Sequence, residues 1–342
     1  MTVSSRQRQL KSRPLPWLLE DRDPGVRYLA LRDLAQASGT ELKRARTAAH
    51  KRGPIGVILR HMQPEGFWAK SGPGYNPKYR STVWSMIALA QLGASIHEDA
   101  RLARACDYVL SHASSEDGRF TALTSGDPAG TIDCLQGNLC WALLELGCED
   151  ARLDRALDWM ARSVTGEGVA PSWDTTAARR FLGYKCGPTF ACSVNAGLPC
   201  AWGGVKVMLA LARVPRERRT PVIQRAIHHG VDFFLSIDPS TADYPTRKGD
   251  KPSRNWWKFG FPVFYVTDLI QLVEAFVALG YGADKRLANS LRIIQDKQDA
   301  SGRWSFDFDY LNGKMWLDFG RLHQPNKWVT LRALRVLMAD AR

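Results

Sequence analysis

The chain lacks any run of about 18 uncharged apolar residues, so no transmembrane helix is expected. Its first residues, MTVSSRQRQLKSRPLPW, are basic and have no apolar stretch of the kind a secretory signal needs. Together these absences lead to the expectation of a cytoplasmic protein, with peripheral membrane contact as a variant. Period-2 alternation is nearly missing, which argues against a sheet architecture. Also missing are G-x-G-x-x-G, a G-x4-G-K-[ST] phosphate loop, H-E-x-x-H and a G-x-S-x-G elbow. No nucleotide cofactor is therefore expected. Cysteine is sparse and odd in number, seven in 342 residues, which does not read as a disulfide framework.

What is present is globular in composition, 45% hydrophobic and 24% charged, with a net charge of +13. The charge is uneven. Residues 1–60 hold 13 Lys/Arg against 5 Asp/Glu, so most of the excess sits in this first part. A basic segment can follow phosphates or rest on an anionic membrane, and it can equally be a solvated face.

Helical periodicity dominates the rest. Leu102, Ala105, Cys106 and Val109 fall at i, i+3, i+4 and i+7, and so do Leu153, Ala156, Leu157 and Met160. Each set is a one-sided stripe, marking a helix with one face on a core and one in water. A second class is apolar nearly all round: 83–92, 135–146, 205–214, 263–279 and 328–338, with 26–35 a weaker member. Such helices must be buried on every side. The two classes alternate, and the buried helices end near Gly39, Gly93, Gly147, Val214, Gly280 and Ala339. That recurrence is a helical repeat with one inner and one outer helix per unit. Six buried helices suggest closure into a ring, with residues 5–20 as a candidate for the last outer partner.

Short loops follow several outer helices: Gln298-x3-Gly302-x-Trp304, Gln63-x2-Gly66-x-Trp68 and the degenerate Ser114-x3-Gly118-x-Phe120. The Gly allows a turn at positive φ, the aromatic folds back under the next helix, and the Gln amide can bond loose backbone groups. These elements resemble the QW repeats of the squalene–hopene cyclase and protein prenyltransferase superfamily, over roughly residues 50–342. The resemblance implies an all-α fold, an α/α toroid: a two-layer ring of alternating inner and outer helices in about six repeats. The expected organisation is a basic helical extension over 1–50, carrying a HEAT-like helix in PGVRYLALRDLA, packed on a toroid domain over 51–342.

In the resembling enzymes the substrate cavity opens among the inner-helix starts. In a ring, Cys134, Cys186, Cys192 and Cys200 would gather on that rim as candidate metal ligands, for zinc or an iron–sulfur cluster. Buried thiols and a catalytic thiol are the other readings of the same residues. The prenyltransferases bind zinc through Asp, Cys and His, and Asp133, Cys134 and His323 have those residue types. The D-x-D-D acid of the cyclases and D-D-x-x-D are both absent. Asp268 lies in an apolar helical pattern, where desolvation would raise its pKa as a general acid requires. Asp133, Asp268 and His323 are thus the candidate catalytic residues. Twelve Trp are present, and Tyr79, Trp84, Trp202, Trp256, Trp257, Phe261, Tyr265 and Trp328 are the candidate substrate-binding rings. An aromatic-lined cavity stabilises carbocations, and the same rings can simply fill a core.

The expected function is a terpenoid-cyclase-like enzyme of the cyclase/isomerase, lyase or prenyl-transfer class, acting on an apolar or isoprenoid-like substrate. Two alternatives remain open. One is a non-catalytic, metal-stabilised helical toroid that binds nucleic acid, membrane or a protein through its basic N-terminal face. The other is an α/α-barrel carbohydrate enzyme, which would need two facing carboxylates.

Overall fold

Amphipathic and all-apolar helices alternate along the folded chain as their patterns require. The computed structural model describes residues 10–123, 130–171, 174–178, 182–247, 249 and 252–339. Within these residues lie thirteen α-helices. In order they are α1 (Leu15–Leu18), α2 (Pro24–Asp33), α3 (Gly39–Arg52), α4 (Pro54–Arg60), α5 (Thr82–Gln91), α6 (Arg101–His112) and α7 (Asp133–Leu146), followed by α8 (Ala151–Thr165), α9 (Ala201–Arg213), α10 (Pro221–Leu235), α11 (Leu269–Ala278), α12 (Ala288–Asp296) and α13 (Lys327–Leu337). Two short two-stranded sheets sit between α8 and α9. β1 (Ala170–Pro171) is parallel to β2 (Leu182–Gly183), and β3 (Cys186–Gly187) is antiparallel to β4 (Ala191–Cys192).

The apolar class forms α5, α7, α9, α11 and α13. The one-sided class forms α6, α8, α10 and α12; α8, for example, buries Leu153, Ala156, Leu157, Met160 and Val164 and leaves its other face wet. Asp150, Thr220, Asp268 and Asn326 cap α8, α10, α11 and α13, each accepting a backbone N–H of the first turn. At its other end α7 stops on Gly147 at φ +88°, a left-handed cap that favours glycine.

The inner helices pack in chain order: α5 on α7, α7 on α9, α9 on α11, α11 on α13, and α13 on α2. The α7–α9 approach is so close that a Cβ on Gly137 would lie 2.4 Å from the Lys206 carbonyl carbon. Past the end of α5, a Cβ on Gly93 would meet Leu29 Cδ2 of α2 at 2.6 Å. The outer helices back this series, α8 against α7 and α10, α12 against α11 and α13. One expected helix is shorter than its pattern. The apolar run 263–279 becomes helical only at Leu269, because Pro262 lacks a backbone donor and Asp268 takes the cap position.

Three inter-helix loops share one geometry. Gln63, Ser115 and Asp299 each donate a backbone N–H to the carbonyl four residues on, Phe67, Arg119 and Arg303, at 2.7, 2.9 and 2.8 Å. The Trp68 and Trp304 indoles donate to the Ile58 and Ile294 carbonyls at 2.8 and 2.6 Å. The backbone N–H of Trp68, Phe120 and Trp304 each donates to a polar side chain on the following inner helix: Thr82, Gln136 and Thr330. No helix of the described residues is long and apolar enough to cross a membrane.

Candidate active site

The starts of α7 and α9 lie side by side, and the β3–β4 hairpin folds over them. A Cβ on Gly203 would be 3.0 Å from the Asp133 Cβ and 3.6 Å from the Cys134 sulfur, so a glycine there admits both side chains. Asp133 is the first residue of α7 and is 2% exposed. Neither carboxyl oxygen makes a well-formed hydrogen bond. Burial, together with the neighbouring Cys192, pushes this carboxyl up to about 8, so it holds a proton at neutral pH. Cys186 and Cys192 are paired residues of the hairpin, and the Cys192 and Cys200 thiols are close neighbours that influence each other's titration. Cys134 is pushed up to about 12, chiefly by burial. The four cysteines thus collect around Asp133. Among the described residues, however, no group of three or more His, Cys, Asp or Glu side chains is arranged to hold a metal ion. The zinc or iron–sulfur site expected from the gathering of these cysteines on a ring therefore has no such ligand group among the described residues.

Beside Cys134, on α9, lies Lys206 with 0% exposure. Its ammonium donates to the Gln271 amide oxygen, which also accepts from the Thr267 hydroxyl at 2.8 Å. Burial lowers the Lys206 amine to about 7. Next to it, Arg332 of α13 binds both oxygens of Asp268 at 2.8 and 2.9 Å and reaches Glu274 at 3.2 Å. Asp268 also accepts the Gln271 N–H at 2.9 Å. It is therefore a capping carboxylate in a buried ion pair. The expectation of a desolvated acid within a helix fails here, because the helix begins one residue later and Arg332 faces it.

Residues 260–266 tie α5 to α13 through a short set of contacts. The Gln91 side chain grips Val263 by both backbone groups, at 2.7 and 2.8 Å. Arg332 donates to the Gly260 carbonyl at 2.9 Å, and Phe261 stacks on Trp328 at 4.5 Å. Phe264 and Tyr265 pack on Trp84 with ring centroids 5.4 and 5.1 Å away, and Tyr79 closes the cluster at 4.8 Å from Trp84.

The candidate rings therefore separate into groups. Tyr79, Trp84 and Tyr265 are together, with Tyr75 beside them. Phe261 and Trp328 form a second pair. Trp256 and Trp257 anchor a different loop, donating to the Pro239 and Ser240 carbonyls at 2.9 and 2.8 Å. Trp202 is half-buried at the start of α9. The half-exposed edge of the rim is Tyr75, Tyr79, Trp202 and Tyr265. The Tyr265 hydroxyl is buried near Tyr75 and Cys134 and makes no well-formed hydrogen bond. His323 is exposed on a turn at φ +62°, its N–H on the Phe306 carbonyl, and is no part of this group.

Lys206 and Arg332 were not among the expected site residues. A cation in an otherwise apolar inner helix, Lys206 alone in GGVKVMLALA and Arg332 with Arg335 in VTLRALRVL, was the available signal. Open clefts lie along α3. One of about 560 Å³ is bounded by Asp21, Arg27, Glu41 and Arg44, and one of about 540 Å³ by Lys43, Arg44, Lys51 and Arg52.

No protein-family model and no curated protein matches this chain. Solved structures that resemble it include a family 10 polysaccharide lyase from Cellvibrio cellulosa, at 16% identity, covering 65% of this chain and 78% of that one, with a TM-score of 0.31. A protein from Actinoplanes is 13% identical over 86% of this chain and 98% of its own, with a TM-score of 0.36. The type II terpene cyclase MstE from Scytonema is 12% identical over 87% and 97%, with a TM-score of 0.32. Likenesses this distant do not bear on what the chain does.

Proposed function

We propose that this chain is an enzyme built as a closed α/α ring of about six inner and outer helices with QW-type loops. It acts by acid–base chemistry on an apolar, isoprenoid-like ligand at the rim where α5, α7, α9 and α11 begin. Closure is supported at the seam between the chain's ends. Arg335 of α13 pairs with Asp33 of α2 at 2.7 Å, and Lys327 bonds Glu20 at 2.8 Å. Gly302 presses on the Ser12 backbone as Gly66 and Gly118 press on α6 and α8, so residues 10–18 stand where an outer helix would.

The observation that carries the catalytic reading is the meeting at one rim of a buried, proton-holding carboxyl, Asp133, and a buried phenol, Tyr265, neither with a well-formed hydrogen bond. Asp133 stands as the proton donor. Lys206, beside Cys134 and with its amine lowered by burial, stands as the proton acceptor. Tyr75, Tyr79, Trp202 and Tyr265 offer ring faces to an apolar chain or a developing cation.

The test is incubation with linear polyprenes and polyprenyl diphosphates in heavy water, followed by mass spectrometry. Wild type should give a deuterated, cyclised or isomerised product, and Asp133→Asn and Lys206→Met should not, at unchanged helix content. Failure of wild type either to convert or to bind any polyprenyl ligand would reject the reading.

A second reading is favoured by α3. Lys43, Arg44, Lys51 and Arg52 are exposed along one flank and stand in no ion pair among the described residues. That flank suits a polyanion such as nucleic acid. Binding should then weaken with salt, and the log–log slope should fall by about 0.9 for each of these cations removed. A salt-independent signal would exclude it.

A further inference from the structure

The cysteines around Asp133 are not equivalent, and their backbone placement separates them. Two short antiparallel pairings share the segment 190–192. In the first, Cys186 faces Cys192 at a position without cross-strand hydrogen bonds, since the neighbouring Ser193 N–H and Lys185 carbonyl make the bond at 3.1 Å. In the second, Ala191 faces Pro199, the Cys192 N–H donates to the Leu198 carbonyl at 3.1 Å, and the Cys200 N–H donates to the Phe190 carbonyl at 2.8 Å. Cys192 and Cys200 are thus diagonal neighbours on one face, and their thiols meet. The Cys186 thiol lies instead beside Ser163 and Asp133, without a well-formed hydrogen bond to either. Around the Cys192 sulfur stand the backbone N–H groups of Val194 and Asn195 and the Lys185 ammonium, all positive in sign. Cys200 is the one cysteine of the seven that is partly exposed.

We propose that Cys192 and Cys200 form a redox-active dithiol, oxidised by a hydroperoxide and reset by a thiol reductant. The Cys192 sulfur attacks the terminal peroxide oxygen. The O–O bond breaks, an alcohol or water leaves, and Cys192 becomes a sulfenic acid. The Cys200 sulfur then attacks the Cys192 sulfur and expels water, giving one disulfide. Two electrons and two protons have left the thiol pair, and one peroxide has been reduced. A small dithiol reverses the change by two exchange steps and leaves as its own disulfide. The bond ties the residue that caps α9 to the hairpin over Asp133, so oxidation fixes the cover of the rim. This inference does not rest on the acid–base reading of that rim.

The experiment treats the reduced, folded full chain with one equivalent of hydrogen peroxide, alkylates the remaining thiols after denaturation and sequences the peptide 186–206 by mass spectrometry. Wild type should lose two hydrogens within that peptide, linking Cys192 to Cys200, and recover them on reduction with dithiothreitol. Cys186→Ser should form the same cystine. Cys200→Ser should instead accumulate sulfenic and sulfinic acid at Cys192. A Cys186–Cys192 cystine, over-oxidation of Cys192 in wild type, or a co-purifying metal that leaves these thiols unreactive would each overturn the proposal.

Discussion

Lys206 is a cation held at the centre of the molecule by an amide rather than a carboxylate. With its amine lowered from 10.5 to about 7, the folded chain releases this proton before the unfolded chain does. The unfolded state therefore binds more protons between about pH 7 and 10.5, and stability should rise with pH across that window. Asp133 works in the opposite sense. Its carboxyl, raised from 3.8 to about 8, keeps a proton that the unfolded chain has lost, so stability should fall as pH rises from about 4 to 8. Urea unfolding of Lys206→Met should lack the alkaline rise and show a gain on the order of 1 kcal/mol at neutral pH, where a desolvated amine has been replaced by an apolar chain of similar length. Asp133→Asn should lack the fall between pH 4 and 8. Profiles that superimpose on wild type would show that neither group is as desolvated as its burial implies.

At the scale of elements, the three matching loops decide the inner–outer alternation. Gly118 sits at φ +93°, and a Cβ there would lie 2.4 Å from the Arg155 carbonyl carbon. Gly118→Ala should cost about 2 kcal/mol or more, because both conformation and space oppose it. Gly313, at φ +70° with no atom within 4 Å, meets only the conformational cost, and its alanine variant should lose about 1 kcal/mol. Equal losses at the two sites would mean that the loop does not bear on the next helix. Trp68→Phe and Trp304→Phe each remove one buried indole bond and should cost similar amounts, about 1–3 kcal/mol, if the loops are equivalent. Much of this level was legible in the sequence. The stripe of α8 and the apolar run of α7 follow from side-chain period alone, and Gly302 with Trp304 marks its own turn. The start of α11 was less legible, since FPVFYVTDL continues the apolar run and only Pro262 and Asp268 hint that it is a loop. Within the site, the rim cysteines could be named from helix starts. The pairing of Asp268 with Arg332 could not, because 64 residues separate them and nothing in either segment points to the other.

For the whole molecule, a decisive contact is the one that ties the loop before α11 to the end of α5. Gln91 ends α5, and residue 263 lies 172 positions later, yet the amide satisfies both backbone groups of Val263, which is 0% exposed. Gln91→Leu keeps the size of the side chain and removes both bonds. It leaves a buried N–H and a buried C=O unpaired, at about 1–3 kcal/mol each. The loss is local in kind, because Phe261 on Trp328 and Arg332 on the Gly260 carbonyl remain. Hydrogen exchange read by mass spectrometry should therefore speed up in peptides covering 258–268, while α7 and α9, locked by Gly137 against Lys206, keep their protection. Unchanged exchange in 258–268 would show that Gln91 does not hold the loop. A uniform rise over all helices would show that the loop and the helices form one cooperative unit.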